Sequence, residues 1–401
     1  MRAPPPRHRL AYALLLLTTA GPALAQQSRL TFTKPDATFA EPFTAVRGIR
    51  ELPDGRVLVS DLQDKVVQVV DFRAATATRI GREGQGPEEY AMPAGLYALP
   101  DGGALLQDFG NRRFLPIGPD GKVGRAISPP QPPIPAATGP AHGGPPMMMI
   151  GALLDLSGVD QQGRLYFQGM ALPGDEAGTT DSVPIMRWDR ARTIDTVAWL
   201  PVSPDMRPQV IRSGNTMQVR IGSRRAWPAQ VQWGVAGDGR IALVQPDPYR
   251  VTWLAPAGRM AGPVVPYTPV KVTDVDRKDY QEGMARARPM MMAFGGPSGA
   301  RPAAPPPSIR ATQDEPEWPD TKPPFTGRDA VLVTPGGQVW VERTRKADDP
   351  APVYDIFDGA GRPAGQVTLR PRSRVVGFGK SAVYVVRADE DDLQYLERYR
   401  R

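Results

Sequence analysis

One phrase of sequence recurs six times along the chain and restricts the possible folds more than any other feature. Each copy has an apolar segment, a tight turn, a second apolar segment, a polar turn and a third apolar segment, as in residues 46–71, VRGIRELPDGRVLVSDLQDKVVQVVD. Asp-Gly and Gly-Gly pairs supply the positive φ that two-residue hairpins require, and the flanking segments are rich in β-branched and aromatic residues. The six tight turns are Asp54-Gly55, Asp101-Gly102, Gln162-Gly163, Asp238-Gly239, Gly336-Gly337 and Lys380-Ser381.

Six units of three or four antiparallel strands predict an all-β fold, a six-bladed β-propeller. A β-sandwich is the alternative, but it would not repeat one phrase six times. The last copy stops after its third strand at Arg401, and residues 29–34, RLTFTK, are the expected fourth strand. The N-terminal strand would thus join the last blade, close the ring and remove an exposed edge. The expected blades within the single domain 26–401 are about 46–80, 94–127, 152–200, 231–265, 329–369 and 373–401 plus strand 29–34.

Residues 80–118 resemble a repeat of the NHL-type six-bladed propellers of bacterial exported proteins. The matching positions are Gly81, Gly84, Gly86, Pro87, Pro93, Gly95, Asp101, Gly102, Asp108, Asn111 and Arg112. The resemblance is good over this blade, fair over the first and fourth, and one of pattern elsewhere. It implies a propeller fold and a habit of binding partners, but no reaction, since one fold hosts many functions.

The first 25 residues have the features of a secretory signal peptide. Three arginines and no acid precede a short apolar run, and Ala23-Leu24-Ala25 precedes the expected cleavage site before Gln26. We therefore expect an exported protein, periplasmic or extracellular, with no membrane span, because no later stretch is apolar enough. The sequence contains no cysteine, which excludes disulfides, thiolate metal sites and a lipidated N-terminal cysteine.

Several site chemistries lack the residues that they need. Of the two histidines, His8 lies in the predicted signal peptide, which leaves His142 alone and excludes a zinc site built from several histidines. The net charge of +7 is spread without a dense basic run, so no nucleic-acid partner is expected. The predicted inner strands are poor in carboxylates. We therefore predict no catalytic residue, no metal and no other cofactor.

The longest connections, 128–150, 201–229 and 266–328, and a smaller one at 168–182, are expected on one face, around the mouth of the central channel. Loops on a rigid scaffold are where binding residues usually lie. Segment 266–328 contains a predicted short helix over 273–287, with Thr273 as its cap, ending before Pro289. A Pro- and Ala-rich stretch follows. Both a lid over the channel and a passive surface insertion are consistent with this pattern.

Candidate ligand contacts fall in the connections of that face. Two loops carry three consecutive methionines each, and Met147, Met149, Met290 and Met292 would be soft ligands for a metal ion. In an extended segment, however, at most two of three consecutive sulfurs point the same way, so packing is favoured over an apolar ligand contact or a metal site. The polar candidates favour an anionic or carboxylate-bearing partner; they are Arg112, Arg113, Arg224, Arg225, Tyr249, Arg250, Arg343 and Arg345. Asp61 and Asp108 occupy matching places and are expected to hydrogen-bond the following turn.

The leading hypothesis is an exported, non-enzymatic, monomeric propeller that binds a protein, peptide or glycan through the loop-bearing face. The alternative is a calcium-dependent lactonase or hydrolase, or a lyase, with its site in the central channel. A purely structural role in an envelope assembly is a third possibility. Three or more acidic or amide side chains converging in the channel would favour the enzyme.

Overall fold

A computed structural model of the chain describes residues 28–128, 156–169, 181–191, 193–207, 209–213, 216–220, 223–295 and 315–400. The six sheets of three or more strands are the blades of a β-propeller, as predicted. Two short strands precede the blades: β1 (Ser28–Thr31) and β2 (Ala37–Thr38). Blade 1 contains β3 (Val46–Glu51), β4 (Val57–Asp61), β5 (Val66–Asp71) and β6 (Thr76–Arg79). The connection to blade 2 contains β7 (Arg82–Glu83) and β8 (Glu89–Tyr90). Blade 2 contains β9 (Pro93–Ala98), β10 (Ala104–Asp108) and β11 (Arg113–Ile117).

The third and fourth blades each have four strands. Blade 3 contains β12 (Leu156–Val159), β13 (Leu165–Gln168), β14 (Ser182–Trp188) and β15 (Ile194–Pro201). The connection to blade 4 contains a 3-10 turn at Pro204–Met206 and a hairpin of β16 (Gln209–Ser213) and β17 (Thr216–Arg220). Blade 4 contains β18 (Gln232–Val235), β19 (Ile241–Pro246), β20 (Tyr249–Ala255) and β21 (Gly258–Ala261).

A long insertion separates blades 4 and 5. It contains β22 (Val270–Lys271), helix α1 (Asp274–Gly295), β23 (Thr321–Lys322) and a 3-10 turn at Arg328–Ala330. Blade 5 contains β24 (Val331–Val333), β25 (Val339–Glu342), β26 (Val353–Phe357) and β27 (Pro363–Thr368). Blade 6 contains β28 (Ser373–Phe378), β29 (Ala382–Ala388) and β30 (Gln394–Arg400).

The predicted tight turns join the first and second strands of the blades. In blades 1 to 5 the turn has three residues and not the predicted two, as between Leu52 and Arg56. The last of the three is a glycine with positive φ, for example +88° at Gly55 and +84° at Gly239. All first strands run in the same direction through the ring, so these turns share one face, which we call the turn face. The opposite face receives the blade-to-blade connections and the loops between second and third strands. We call it the insertion face.

Apolar layers between neighbouring blades form the core. Leu58 and Val67 of blade 1, for example, pack with Leu96 and Leu106 of blade 2. Glycines allow the first strands to approach closely. A Cβ atom at Gly48 would lie 2.4 Å from the backbone nitrogen of Leu96 in the next blade.

The N-terminal segment closes the ring, but not with the predicted strand. Residues 28–31 pair in parallel with β27, at the outer edge of blade 5. Closure is made by β2, which pairs antiparallel with β30 of blade 6. Contacts with residues far away in the sequence fix the path of this segment. The ring of Phe32 stacks on that of Tyr399 with 4.7 Å between centroids, and Asp36 accepts a 2.7 Å hydrogen bond from Arg398. The segment therefore covers the edges of two blades, which would otherwise present unpaired backbone groups.

Helix α1 also differs from its prediction. It begins at Asp274 with Thr273 as its cap, as expected: the Thr273 hydroxyl accepts from the Asp276 backbone N–H at 3.3 Å, and Asp276 accepts from the Thr273 N–H at 2.8 Å. However, it continues past Pro289 to Gly295. A proline removes one helical hydrogen bond, and a helix can continue beyond it with a kink. Among the described residues, no helix is long and apolar enough to cross a membrane.

Candidate functional site

Matched aspartates organise the insertion face at blades 1 and 2. Asp61, at the end of β4, accepts from the backbone N–H groups of Thr44 and Ala45 at 2.7 and 2.9 Å, and from those of Gln63 and Asp64 at 3.0 Å. The bonds to the turn that follows β4 were predicted; those to Thr44 and Ala45, which hold the segment before β3, were not. Asp108 makes the matching bonds in blade 2, where it accepts from the N–H groups of Ala91 and Met92 at 3.0 Å and from Asn111.

A buried ion pair within the long insertion is hydrogen-bonded to blade 5. Nζ of Lys322 lies 2.7 Å from Oδ1 of Asp276, and both side chains are almost fully buried. Lys322 also donates to the carbonyl oxygen of Arg345 at 3.0 Å, and the N–H of Ala347 donates to Asp276 at 2.8 Å. The start of α1 is therefore held against the loop between β25 and β26.

The protonation of Asp276 follows from these contacts. Burial by itself would raise the pKa of this carboxyl group. Hydrogen bonds from Lys322, Thr273 and Ala347 outweigh that effect and lower the pKa of Asp276 to about 2. The carboxylate is therefore charged near neutral pH and forms a full ion pair with the lysine.

An aromatic cluster joins the insertion to the connection between blades 3 and 4. The rings of Trp227, Tyr280 and Trp318 lie 4.9–5.8 Å apart, and Nζ of Lys322 lies 4.7 Å from the ring centre of Trp227. Around this cluster, the backbone N–H of Ala226 donates to the carbonyl of Glu317 at 3.0 Å. The insertion is thus packed against its neighbours by a small core of its own.

The predicted arginines are distributed around this face and do not converge on one point. Arg112 is exposed. Arg113 donates to the carbonyl oxygens of Gly86 and Glu89 at 2.6 and 2.8 Å, across the connection between blades 1 and 2. Arg224 lies 3.6 Å from the carboxylate of Glu317, and Arg225 lies 3.7 Å from that of Asp205. Arg224 and Arg225 therefore lie in the connection between blades 3 and 4, away from Arg112 and Arg113 in blade 2.

Tyr249 and Arg343 meet at Asp355, between blades 4 and 5. The Tyr249 hydroxyl donates to Asp355 at 2.9 Å, and Nε of Arg343 lies 3.6 Å from the same carboxylate. Burial raises the pKa of Tyr249 well above its usual value, and the charge of Asp355 raises it further. Tyr249 is only 2% exposed, so its hydroxyl joins two blades and does not point to solvent.

The structure describes only part of the two methionine segments. Met147 and Met149 lie outside the described residues. The backbone at Met290 and Met292 belongs to α1 and not to an extended loop.

Two arginines that the sequence interpretation missed lie at the mouth of the channel. Arg47 near the start of β3 lies 3.9 Å from Asp329, which precedes β24. Because blade 6 separates blades 5 and 1, this ion pair spans the mouth of the ring. Arg374 of blade 6 lies between the two and donates to Gln394 at 3.2 Å and to the carbonyl of Val46. In the sequence, each of these arginines stands near the start of a first strand, in blade 1 and in blade 6. These two blades become neighbours only when the ring closes.

Charges of both signs act on Arg374 at this mouth. Burial lowers the pKa of the Arg374 guanidinium below its usual value, and the charge of Arg47 lowers it further, against a weaker opposite effect of Asp329. Two carboxylates act on these guanidinium groups: that of Asp329, whose side chain is 90% exposed, and, with a smaller effect on Arg374, that of Glu342.

The carboxylates at the other end of the first strands have structural partners. Glu51 accepts from the Tyr384 hydroxyl at 2.7 Å, and Asp160 accepts from Arg164 at 2.7 Å and Tyr166 at 3.0 Å. Within the described ranges, no group of three or more His, Cys, Asp or Glu side chains could hold a metal ion.

No known protein-family model matches the chain, and no curated protein matches it. Similar solved structures include a member of the DUF4221 family from Bacteroides vulgatus (8% identity, 91% of this chain and 97% of that chain covered, TM-score 0.45). A protein of Bacteroides fragilis whose name describes it as exported has 10% identity, coverage of 93% and 98%, and a TM-score of 0.45. A streptogramin B lyase has 10% identity, coverage of 91% and 86%, and a TM-score of 0.40. At these levels the likenesses concern the fold alone and carry no argument about function.

Proposed function

We propose that the protein is an exported, non-enzymatic propeller of NHL type that binds a protein, peptide or glycan partner through its insertion face. The observation that carries the proposal is the difference between the two faces. The turn face has short turns between first and second strands. The insertion face holds an insertion whose buried ion pair is hydrogen-bonded to blade 5 and whose aromatic cluster packs against the connection between blades 3 and 4. Binding residues lie preferentially on loops that a rigid scaffold holds in place.

The energetics of the insertion support a functional role for it. Desolvating an ammonium and a carboxylate costs several kcal/mol per ion, and only well-placed partners offset that cost. Asp276 and Lys322 have such partners on both sides. A passive surface insertion would need no fixed position. This one is held against the loop between β25 and β26 on the insertion face, so we propose that it forms one wall of the binding surface.

The exposed arginines of the face indicate what the partner offers. Arg112, Arg224 and Arg225 present guanidinium groups to solvent, which pair well with carboxylates. We therefore expect that the partner binds through an acidic peptide segment or an acidic glycan. We expect the propeller itself to be a monomer. The predicted cleavage before Gln26 would deliver the protein to the periplasm or the extracellular space.

A peptide and glycan array tests this proposal with the mature chain, residues 26–401. The test variants Arg112→Glu and Arg224→Glu reverse charge on the insertion face. The matched control is Arg73→Glu, which reverses charge in the exposed turn between β5 and β6, on the turn face. We expect acidic ligands whose binding falls in the test variants and persists in the control. Equal loss in the control, or no ligand on the array, would contradict the proposal.

A further inference from the structure

The channel mouth brings together charges from three consecutive blades. Arg47 comes from blade 1, Arg374 from blade 6 and Asp329 from the segment entering blade 5. The Arg47–Asp329 pair is 3.9 Å long, with side-chain exposures of 42% and 90%. It lies at the outer limit for an ion pair and is open to solvent, where such pairs contribute little to stability.

Arg374 is held in place before any ligand arrives. Its guanidinium donates to two neutral acceptors, the carbonyl oxygen of Val46 and the side-chain oxygen of Gln394. These bonds fix its position at the junction of blades 1 and 6 but supply no negative charge. A guanidinium whose position is fixed loses little entropy on binding an anion.

Asp329 identifies the chemical class of the ligand. The chain itself places a carboxylate beside these guanidinium groups, but holds it at long range and almost fully exposed. A free carboxylate can approach closer and form the paired hydrogen bonds that guanidinium groups favour. Displacing Asp329 into water would cost little, because that side chain is already hydrated.

We propose that the channel mouth binds a carboxylate group between Arg47 and Arg374, in the place that Asp329 occupies as a weak internal competitor. The inference rests on the proposed function, since it names the group by which the partner is anchored at the insertion face. Asp329 then lowers the affinity for the ligand, because it competes for the same guanidinium groups. Its removal strengthens binding, and loss of Arg47 weakens binding.

Calorimetric titration of the mature chain with glutarate tests this, with glutaramide as the uncharged probe of the same shape. The variants are Arg47→Gln and Asp329→Asn, and Arg73→Gln is the control on the opposite face. We expect a roughly two- to five-fold gain in affinity in Asp329→Asn and a loss of about tenfold or more in Arg47→Gln. The control should bind as the unchanged protein does, and glutaramide should not bind. Affinity for glutarate should fall as salt is added.

Several outcomes would overturn the inference: no heat with glutarate, equal binding of glutaramide, or a loss of affinity in Asp329→Asn. Neither variant removes a buried contact of the core, and circular dichroism establishes that each is folded. If glutarate fails while the array still yields ligands sensitive to Arg112→Glu, the anchor is wrong and the binding function stands. If both fail, the proposed function fails as well.

Discussion

The close contact between blades 1 and 2 predicts that one added methyl group at Gly48 destabilises the propeller. The Cβ atom of Gly48→Ala would lie 2.4 Å from the backbone nitrogen of Leu96 and 3.0 Å from the carbonyl carbon of Gly95. These are backbone atoms of the next blade, so no side-chain rotation relieves the clash. Strands β3 and β9 would have to separate by roughly 1 Å to restore ordinary contact distances.

Overpacking of this kind costs about 1–3 kcal/mol, and the rigid neighbour places this site at the upper end. Replacing glycine also reduces the entropy of the unfolded chain, which offsets roughly 0.4–1 kcal/mol. We therefore expect a net loss of about 2 kcal/mol in the free energy of unfolding. With an unfolding entropy of about 2.1 cal/mol/K per residue, that loss corresponds to a fall in Tm of roughly 2–3 °C for a chain of this size.

The matched control is Gly283→Ala in helix α1, where an added Cβ meets nothing within 4 Å. Alanine is favoured over glycine in a helix by about 1 kcal/mol, so the same chemical change should stabilise the helix. Urea unfolding followed by circular dichroism, with scanning calorimetry for Tm, measures both variants. Unchanged or raised stability in Gly48→Ala would refute the close approach of the first strands.

Three further predictions concern the insertion and the N-terminus. Lys322→Met leaves the buried Asp276 carboxylate without its cation, so amide hydrogen exchange at the start of α1 should accelerate. The double variant with Asp276→Asn should partly restore protection from exchange. Unchanged exchange in Lys322→Met would contradict the role of the ion pair. Because the pKa of Asp276 is lowered to about 2 in the folded state, its contribution to stability is complete above pH about 4 and is lost as pH falls towards 2; Asp276→Asn should flatten the dependence of urea unfolding on pH between those values, and an unchanged slope would count against it. A chain beginning at Lys34 lacks β1 and Phe32 but keeps β2, so it should still unfold cooperatively by circular dichroism, at a lower Tm. A chain beginning at Thr44 also lacks β2 and leaves β30 open, so it should lose cooperative unfolding; cooperative unfolding of both would refute closure by β2.

The blades could be predicted from the sequence because local residue types determine them. A glycine pair that needs positive φ, between segments of β-branched residues, identifies a hairpin wherever it occurs. The same is true of the start of α1, where Thr273 and Asp276 lie three residues apart. The sixfold recurrence of the hairpin then specifies the architecture.

The errors arose where distant contacts decide between similar local choices. Residues 29–34 and 37–38 are both short N-terminal segments, and Asp36 is joined to Arg398 over a separation of 362 residues. The end of α1 was misplaced because Pro289 weakens a helix without necessarily ending it. Likewise, Arg374 contacts Val46 over 328 residues, so the channel mouth becomes visible only once the ring is closed.

Tyr249 illustrates the limit for site residues. A tyrosine at the start of a third strand faces either solvent or the next blade, and its neighbours in sequence do not distinguish the two. The partner that decides is Asp355, 106 residues away. The sequence predicts which loop of the insertion face each candidate residue belongs to. It does not predict which of these residues contact one another.

The most direct test of the binding face uses the absence of cysteine from the sequence. A single cysteine replaces exposed Lys346 on the insertion face in one variant and exposed Arg73 on the turn face in the other, and each is labelled with an environment-sensitive fluorophore. The strongest acidic ligand from the array is then titrated into both. The account predicts a saturable change in emission from the label at position 346 and none at position 73. A response at position 73 alone would contradict it.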